Sequence, residues 1–526
     1  MTDDHKSSLA AHPYAPDASF DGGDLDCGSG LLLLIRKHID PLTPGQLLEI
    51  RSTEISVRED LPAWCRLTRN ELVSEVHDGR QGSYLVSKGP FTLAAESARA
   101  SDAGSTTQVS SIKSPAPITQ PIKPVAIPAT LPDPALAPAI RPLAVMGIGS
   151  WPRPRWMLQA LHECLEGRLD EVAFQETAND AVRLAVEAQV RAGVDVISDG
   201  EQRRDNYASF VGGLLDNCQL VPITDLLPYV DHPDEFAEQL RALDVPASSV
   251  RHPAVFGPLG RSRALAVREL DFVRELSKLP VKIALPGPYL LTRTMWMECI
   301  SDRAYARRED LAHDIVRVLR EELHYLLAAG AALVQFDEPV LTEVVFGKPP
   351  GQRTFMCGAL GSRLDTAAEL AFAEDLINRV VEGLPRERLA LHICRGNWSR
   401  DERVALAGDY RPLMPLLSRL KIGTLFLELF TPRAGEMTVL RELPAEIRLG
   451  VGAANQKSPR VESVDEIVAK AEPAIAMFGA DRILLTPDCG FATFADNPLA
   501  SSGIAEKKLA AIVEAARILR HRHQIN

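Results

Sequence analysis

A histidine, a glutamate and two cysteines in the C-terminal half of the chain are the side chains that could bind a metal ion. His392 and Cys394 stand two positions apart in the apolar stretch Leu-Ala-Leu-His-Ile-Cys. Side chains alternate faces along a strand, so residues at i and i+2 point the same way and can share one ion. Glu428 ends the run Thr-Leu-Phe-Leu-Glu, and Cys489 follows the run Ile-Leu-Leu-Thr-Pro-Asp. Imidazole, carboxylate and thiolates form a ligand set that selects zinc, so the sequence predicts a Zn²⁺ site at these positions.

The same residues have simpler interpretations. A single His-x-Cys pair more often means a buried histidine beside a buried cysteine, because free cysteine is among the most buried residue types. A carboxylate and a second cysteine, each at the end of its own apolar run, favour the metal site. A structural zinc without catalysis is a further alternative. Carboxylates at other strand ends argue against it, since a closed structural site does not need them.

Short apolar runs recur through the C-terminal part of the chain, separated by helical segments. The runs begin at Leu143, Val194, Val281, Ala332, Leu389, Thr424, Ile447 and Ile483. One helical segment, 310–330, repeats apolar residues at steps of three and four and ends at a glycine. Strand and helix alternating to a count of eight predict a TIM (β/α)8 barrel over residues 142–526. The long stretch 198–281 is expected to hold an insertion.

Polar residues directly follow these runs, at the strand ends where such barrels have their active sites. Gly149 and Ser150 follow the first run, Glu201 the second and Asp337 the fourth, and Glu343 comes six positions after Asp337. Strand ends that converge on one barrel mouth would bring distant parts of the sequence together. We therefore expect the four metal ligands and these polar residues to share one site.

The N-terminal part of the chain has a different texture. Residues 1–23 predict a disordered leader, since they are mostly polar and lack an apolar period. Residues 24–91 predict a small two-layer α/β domain, with a helix after Cys27, a strand at 47–50 and a hairpin near residue 80. Residues 92–141 are rich in Ala, Ser, Thr and Pro, which is typical of a semi-stiff disordered linker.

Composition excludes several classes of protein. The chain has 526 residues, 46% of them hydrophobic, and a formal net charge of -12. That charge argues against a nucleic-acid partner, which requires basic patches. The 8 cysteines are scattered, which suits a reducing compartment better than a disulfide framework. The N-terminus has no signal-peptide core, and the longest apolar run is too short to span a bilayer, so we expect a cytoplasmic protein without a membrane partner.

With these residues placed, the stretch 143–525 resembles the catalytic barrel of cobalamin-independent methionine synthase. In that family, zinc is held by a His-x-Cys strand, by a glutamate on the next strand and by the cysteine of an Asp-Cys-Gly motif. Here those ligands correspond to His392, Cys394, Glu428 and Cys489. The resemblance implies a zinc-dependent transfer of a methyl group to a thiol, with homocysteine as acceptor and methionine as product.

The resemblance also implies roles for the remaining strand-end residues. Glu201, in Asp-Gly-Glu-Gln-Arg-Arg, matches the amino-acid-binding glutamate of the family, and it is expected to take part in catalysis as well. Gly149 and Ser150 match its substrate-binding first strand. Asp337 and Glu343 match the acidic pair that contacts the homocysteine amino group and supports the reaction.

Three departures from the long members of the family concern the methyl donor. The long members carry a second, N-terminal barrel, and a different module stands in its place here. Thr294 falls where they place a tryptophan against the folate, and Lys457 falls where they have a histidine thought to protonate it. The donor is therefore either methyl-folate or another methyl carrier.

Residues 24–91 resemble the TusA family of small sulfur-carrier proteins, whose reactive cysteine stands just before the first helix. Cys27 falls at that position, although the family's Cys-Pro-x-Pro context is replaced by Cys-Gly-Ser-Gly. A thiol at a helix N-terminus favours the thiolate form. The resemblance implies a sulfur-carrier site at Cys27 and a sulfurtransferase as partner. A degenerate module kept for docking or stability is the alternative.

Three functions follow, in order of preference. The first is the zinc-dependent methylation of homocysteine. The second is a zinc-dependent alkyl transferase or lyase that acts on another thiol, as some short relatives are. The third is a sulfur relay in which Cys27 carries sulfur to the barrel as a persulfide.

Overall fold

The computed structural model describes residues 12–25, 31–78, 81–91, 130–165, 168–225, 250–296, 301, 304–347, 365–397, 399–400, 402, 405–495 and 498–525. The fold is mixed α/β, and the chain divides into two compact units. The N-terminal unit comprises residues 1–122 with 298–304, and the C-terminal unit comprises 123–297 with 305–526. Cys27 lies outside the described residues, as does the acidic stretch 231–235 of the expected insertion.

The described residues of the N-terminal unit form a four-stranded sheet and two helices. Its elements are β1 (Ala18–Asp21), α1 (Leu32–Ile39), β2 (Leu47–Ser52), α2 (Val57–Thr68), β3 (Glu71–Asp78) and β4 (Gln81–Ser87). The strand order is β1-β2-β4-β3, with β1 parallel to β2 and the other pairs antiparallel. The predicted strand at 47–50 and the hairpin near residue 80 are confirmed.

Strand β1 differs from the sequence prediction, because it lies inside the segment expected to be a disordered leader. Its Phe20 is only 1% exposed, and its register pairs Phe20 with Ile50 of β2. Just before the strand, the Asp17 carboxylate accepts a hydrogen bond from Leu47 N at 2.7 Å. A four-residue strand in a polar segment carries too short an apolar pattern to be recognised, and only its pairing with β2 orders it.

The C-terminal unit alternates strands and helices along the chain. Its strands are β5 (Asp216–Pro222), β6 (Arg251–Gly260), β7 (Lys282–Pro286), β8 (Leu333–Asp337), β9 (Leu389–Ile393), β10 (Thr424–Leu427), β11 (Arg448–Gly452) and β12 (Ile483–Thr486). Its helices are α3 (Arg155–Leu165), α4 (Glu171–Ala192), α5 (Val267–Leu276), α6 (Pro288–Met295), α7 (Arg308–Ala328), α8 (Val340–Phe346), α9 (Thr366–Val381), α10 (Met414–Leu417), α11 (Val464–Phe478) and α12 (Ser502–Arg522).

Strands β7 to β12 form one parallel sheet in chain order, and two short bridged segments close it into a ring. Val145 pairs with Leu485 of β12, and the next residue, Met146, pairs with Val196. Ile197 then pairs with Val281 at the start of β7. All of these pairings are parallel, so every carboxyl end lies on the same side of the ring. The predicted order of apolar runs is confirmed.

The ring encloses an apolar core. Its buried residues are Ala144, Met146, Ile148, Val196, Leu333, Ala390, Phe426 and Leu484. They come from several segments of the ring, as expected for inward-pointing residues that fill a closed sheet in layers. This core supports the polar residues at the carboxyl ends of the strands.

Two features lie outside the alternating pattern. The expected insertion is present, and its strands β5 and β6 form an antiparallel hairpin. The last part of the predicted linker, residues 130–141, differs from expectation because it is fastened to the C-terminal unit. Arg388 donates to the carbonyl of Ala135 at 2.6 Å, and Arg448 donates to that of Ile140 at 3.2 Å. These arginines stand where strands β9 and β11 begin, so the segment crosses the amino ends of the strands.

No described helix has the length and apolar character needed to span a bilayer.

Candidate active site

His392, Cys394 and Cys489 meet at the carboxyl side of the ring. His392 is in β9, Cys394 follows that strand, and Cys489 comes shortly after β12. All three are buried, and each offers a ligand atom within 4.8 Å of those of the other two. The structure therefore brings together three of the four residues that the sequence predicted as zinc ligands.

Hydrogen bonding selects one tautomer of His392. Its Nδ1 lies 2.8 Å from Oδ1 of Asp337, which also accepts a hydrogen bond from Gln335 Nε2 at 2.7 Å. A carboxylate only accepts, so Nδ1 carries the proton. In the neutral imidazole, Nε2 then carries the lone pair, and this atom is buried and has no hydrogen-bond partner. A buried orphan acceptor beside two thiols fits a metal ion, and a carboxylate behind a ligand histidine is a common arrangement in zinc sites.

The two cysteines have opposite pKa shifts. A hydrogen bond from the Cys489 thiol lowers the pKa of Cys394, against the effect of burial, and His392 lowers it further. The same hydrogen bond, together with burial, raises the pKa of Cys489. For His392, burial lowers the pKa, but the hydrogen bond and charge of Asp337 outweigh burial and raise it overall. The cluster thus favours one thiolate, which is the form that binds metals.

Glu428 is buried near this cluster but does not belong to it in the structure. Its Oε1 accepts from Arg433 at 2.5 and 2.9 Å, and its Oε2 accepts from Asn397 at 2.7 Å and from Arg395 N at 3.2 Å. Burial raises its pKa to about 8, and the charges of Asp488 and Cys394 add to that rise. The predicted fourth ligand is therefore held by other partners in this state.

A cavity opens directly beside the cluster. Its wall includes His392, Cys394, Cys489, Asp337 and Glu201. Burial raises the pKa of Glu201 to about 7, and the charge of Arg204 opposes that rise. The cluster of one histidine and two cysteines therefore lines the same cavity as two carboxylates.

The backbone at Glu201 is strained. Its φ is +54°, a left-handed conformation that non-glycine residues rarely adopt, and Gly200 before it has φ +70°. Arg153 holds this turn by donating to the carbonyls of Glu201 and Arg204. Arg204 in turn pairs with Glu269 at 2.5 Å. Strain that the surroundings maintain is typical of functional sites.

Gly149 and Ser150 also line the cavity. A Cβ atom on Gly149 would lie under 3.0 Å from Glu201 Oε1, so only glycine lets this carboxylate occupy its place. Ser150 Oγ accepts a hydrogen bond from Ala492 N at 3.3 Å, which ties the first segment of the ring to the loop after β12. Both residues therefore lie where the sequence placed them.

Glu343 is not placed at the cavity. It is 1% exposed on α8 and is not among the described residues of the cavity wall. Thr294 does line the cavity. Lys457 is buried beside the exposed Glu402, with a Nζ to carboxylate distance of 4.0 Å, and burial lowers its pKa to about 8.

Several residues of the site were not found from the sequence. The hairpin of the insertion contributes Val250, His252 and Pro253 to the cavity wall. The sequence of the insertion gave no sign of which of its residues would face the cavity. Arg433, by contrast, follows Glu428 closely in the chain, and a cation five positions after a buried carboxylate was a usable signal.

Much of the C-terminal unit is similar to known proteins. The family model for the catalytic domain of cobalamin-independent synthases matches residues 143–226 and 239–517. A methionine synthase from Saccharolobus solfataricus is 24% identical over 381 residues, which cover 71% of this chain and 93% of that protein. Another from Sulfolobus acidocaldarius is 25% identical over 374 residues, covering 71% and 91%.

Among solved structures, a B12-independent methionine synthase from Shewanella sp. W3-18-1 in complex with selenomethionine has a similar fold. Its TM-score is 0.54 at 24% identity, and the match covers 72% of this chain and 98% of that one. Since the family model spans more than half of the sequence, this chain belongs to the family of cobalamin-independent synthase catalytic domains.

Proposed function

We propose that this protein is a zinc-dependent methyltransferase that transfers a methyl group to the thiol of homocysteine and forms methionine. The observation that carries the proposal is the cluster of His392, Cys394 and Cys489, which opens on the same cavity as Glu201 and Asp337. The names of the relatives and their coverage of the C-terminal unit support the same reaction. We assign the ring and its helices to the TIM (β/α)8 barrel of the methionine synthase type.

The residues present fit a zinc ion. His392 would bind it through Nε2, Cys394 and Cys489 through their sulfurs, and Glu428 would be the fourth ligand after leaving Arg433. When bound, zinc supplies a Lewis acid that keeps a substrate thiol deprotonated at neutral pH. Arg433 would remain available as a charged partner for Glu428 whenever this carboxylate is not bound to the metal.

Glu201 and Asp337 hold the amino-acid part of the acceptor. An ammonium group between two carboxylates gains charge-assisted hydrogen bonds, which are stronger than neutral ones. Asp337 contributes while its Oδ1 remains bonded to His392. This contact fixes the acceptor relative to the cluster, so that the sulfur and the ammonium group of one small molecule are bound together.

The methyl transfer is a displacement at carbon. An electron pair of the acceptor sulfur forms the new S–C bond, the bond between the methyl group and the donor breaks, and its electrons stay with the donor. The cavity wall from the hairpin, including Val250 and Pro253, keeps water from the reacting atoms. The donor is methyl-folate or another methyl carrier, and assays with each donor under the same conditions decide between them.

Zinc-edge X-ray absorption on the purified protein tests the proposal, with and without homocysteine. We expect a shell of two sulfurs that gains a third when homocysteine is added. A Glu201→Gln variant is the matched control, because it should keep the two-sulfur shell and need more homocysteine to reach the third. An unchanged shell at saturating homocysteine, together with turnover of another thiol, would favour the alternative alkyl transferase or lyase.

We propose separately that the N-terminal unit is a TusA-like module with Cys27 as a sulfur-carrier site. Two features support it: Cys27 lies in the chain between β1 and α1, and the four-stranded sheet has a helix after each of its first two strands. Incubation with a sulfurtransferase should add the mass of one sulfur atom, and Cys27→Ser should abolish it. Cys65, which is buried and whose pKa is raised to about 12 by burial, provides the control variant Cys65→Ser.

A further inference from the structure

Lys282 is a buried cation inside the ring, and all three of its N–H groups are used. It is 1% exposed at the start of β7. Its Nζ donates to the carbonyls of Gly147 and Ile148 and to Oε1 of Gln335, each at 2.6 Å. An ammonium group has three donors and no acceptor, so these bonds satisfy it completely. All three partners are neutral oxygens, so Lys282 is not held there by a salt bridge.

The bond to Gln335 sets the direction of a hydrogen-bond chain. Because Gln335 Oε1 accepts from Lys282, its Nε2 must be the atom that faces Asp337, and it donates to Asp337 Oδ1 at 2.7 Å. The same oxygen accepts from His392 Nδ1 at 2.8 Å. The hydrogen-bond chain from Lys282 to His392 is therefore continuous, and each member determines whether the facing atom of the next one donates or accepts.

Without Lys282, Gln335 Oε1 loses its donor, and only the carboxylate of Asp337 still orients the amide. A reversed amide would place its oxygen against the carboxylate of Asp337, and two acceptors facing each other are repulsive. To avoid that contact, Asp337 would turn away from His392. This movement removes the preference for a proton on Nδ1, on which the free lone pair at Nε2 depends.

Lys282 also holds the substrate side of the cavity. Gly147 and Ile148, whose carbonyls it binds, directly precede Gly149 and Ser150 of the cavity wall. One ammonium group thus connects the cavity wall at Gly149 and Ser150 with the hydrogen-bond chain that orients His392.

We propose that Lys282 and Gln335 are positioning residues. They hold His392 in the tautomer required for metal binding and fix its position relative to the cavity wall at Gly149 and Ser150. This inference rests on the proposed function, because it assumes that His392 is a metal ligand. Burying an ammonium group is costly, and an uncharged residue of similar shape is often as stable or more so. Stability alone therefore does not account for a lysine at this place.

The experiment uses the full chain and compares Gln335→Glu, Lys282→Met and Lys508→Met. Glutamate has the shape of glutamine and still accepts from Lys282, but it cannot donate to Asp337. Lys508 is the matched control, because it is also buried and binds Glu462 at 2.7 Å and the Arg460 carbonyl. The readouts are the nitrogen-15 NMR signals of His392 in the metal-free protein and the zinc dissociation constant from chelator competition.

At a pH above the raised pKa of His392, we expect this residue in the unsubstituted chain to show a single neutral tautomer, protonated on Nδ1. In Gln335→Glu and Lys282→Met, that signature should be lost and zinc should bind about 10- to 100-fold more weakly, the range found for partners behind metal ligands. Lys508→Met should keep both properties. If Lys282→Met does not fold, Gln335→Glu decides alone.

Wild-type zinc affinity and tautomer in Gln335→Glu would overturn the inference and leave the proposed function intact. Conversely, loss of both in that variant, with no methylation of homocysteine by the unsubstituted chain, would support the positioning role and refute only the reaction. The two ideas therefore fail on different measurements.

Discussion

The affinity of this protein for methionine should rise with pH because Glu201 must be ionised to hold an ammonium group. Burial raises the pKa of Glu201 to about 7, the charges of Arg204 and Arg153 lower it, and those of Asp337 and Asp199 raise it. Below this pKa, the cavity presents an uncharged carboxyl, and above it a carboxylate. Methionine is the better probe than homocysteine because it has no thiol whose own titration would add to the profile.

The magnitude follows from the fraction of ionised Glu201. A group with a pKa of about 7 is about one-tenth ionised at pH 6 and about nine-tenths ionised at pH 8. An apparent dissociation constant scales inversely with the fraction of protein that is competent to bind. Methionine should therefore bind about tenfold more tightly at pH 8 than at pH 6, a difference of about 1.4 kcal/mol.

The same shift acts on folding in the opposite direction. Between the ordinary value of 4.5 and about 7, folded Glu201 retains a proton that the unfolded chain has lost. The free energy of unfolding contributed by this group is therefore highest below pH 4.5 and falls as pH rises towards 7. Low pH thus increases the contribution of Glu201 to the free energy of unfolding, while it weakens the binding of methionine at Glu201.

Calorimetric titration of zinc-loaded protein with methionine, at constant ionic strength over this pH range, measures the effect. Glu201→Gln should bind weakly and without the slope. Other buried groups titrate in this range too. Burial lowers the pKa of Lys282 to about 7, although the charges of Asp337 and Glu201 oppose that shift, and burial lowers the pKa of Lys457 to about 8. A slope that persists in Glu201→Gln would refute the assignment to Glu201 and point to one of these other groups.

Three further substitutions test the proposed metal site, the proposed acceptor site and the stability of the fold separately. Cys489→Ser should lose zinc and methyl transfer together, and elemental analysis that finds wild-type zinc would contradict its role as a ligand. Gly149→Ala should keep zinc but weaken methionine binding by about tenfold or more, or about 1.4 kcal/mol, because its Cβ would displace the Glu201 carboxylate; unchanged binding in a titration would contradict this. Gly287→Ala should destabilise the fold by about 1–3 kcal/mol, because its Cβ would overlap Glu338, whose carboxylate accepts from the first N–H groups of α6. A urea unfolding midpoint equal to that of the unsubstituted chain would show that Glu338 can move at no cost.

The strand order and the meeting of His392, Cys394 and Cys489 could be predicted from sequence because both depend on simple periodicities. Buried parallel strands appear as apolar runs, and the carboxyl ends of parallel strands in a ring must share one side. Cys394 and Cys489 follow such runs, and His392 lies two positions before Cys394. Of the side-chain partners of Glu428, Arg433 is close in the chain, whereas Asn397 is 31 positions away and could not be found by this rule.

Other features depend on contacts that no local pattern records. The tautomer of His392 is set by Asp337, 55 positions earlier in the chain. A lysine that interrupts the apolar run Val-Lys-Ile-Ala-Leu was visible in the sequence, but nothing local indicated that Lys282 points into the ring. The pairing of β1 with β2 and the fastening of 130–141 are also long-range contacts within their units.

The closed ring has a consequence for how this protein tolerates high concentration. A strand at the edge of a sheet exposes unpaired backbone groups that can pair with another molecule, and a closed ring has no such edge. The sheet of the N-terminal unit is open, and its edges are β1 and β3. Strand β1 is only four residues long, and β3 carries Glu71, Glu75 and Asp78 and is interrupted by a bulge after Leu72. Short length, charge and irregularity are the means by which open sheets avoid edge-to-edge aggregation, so both edges of this sheet carry such safeguards.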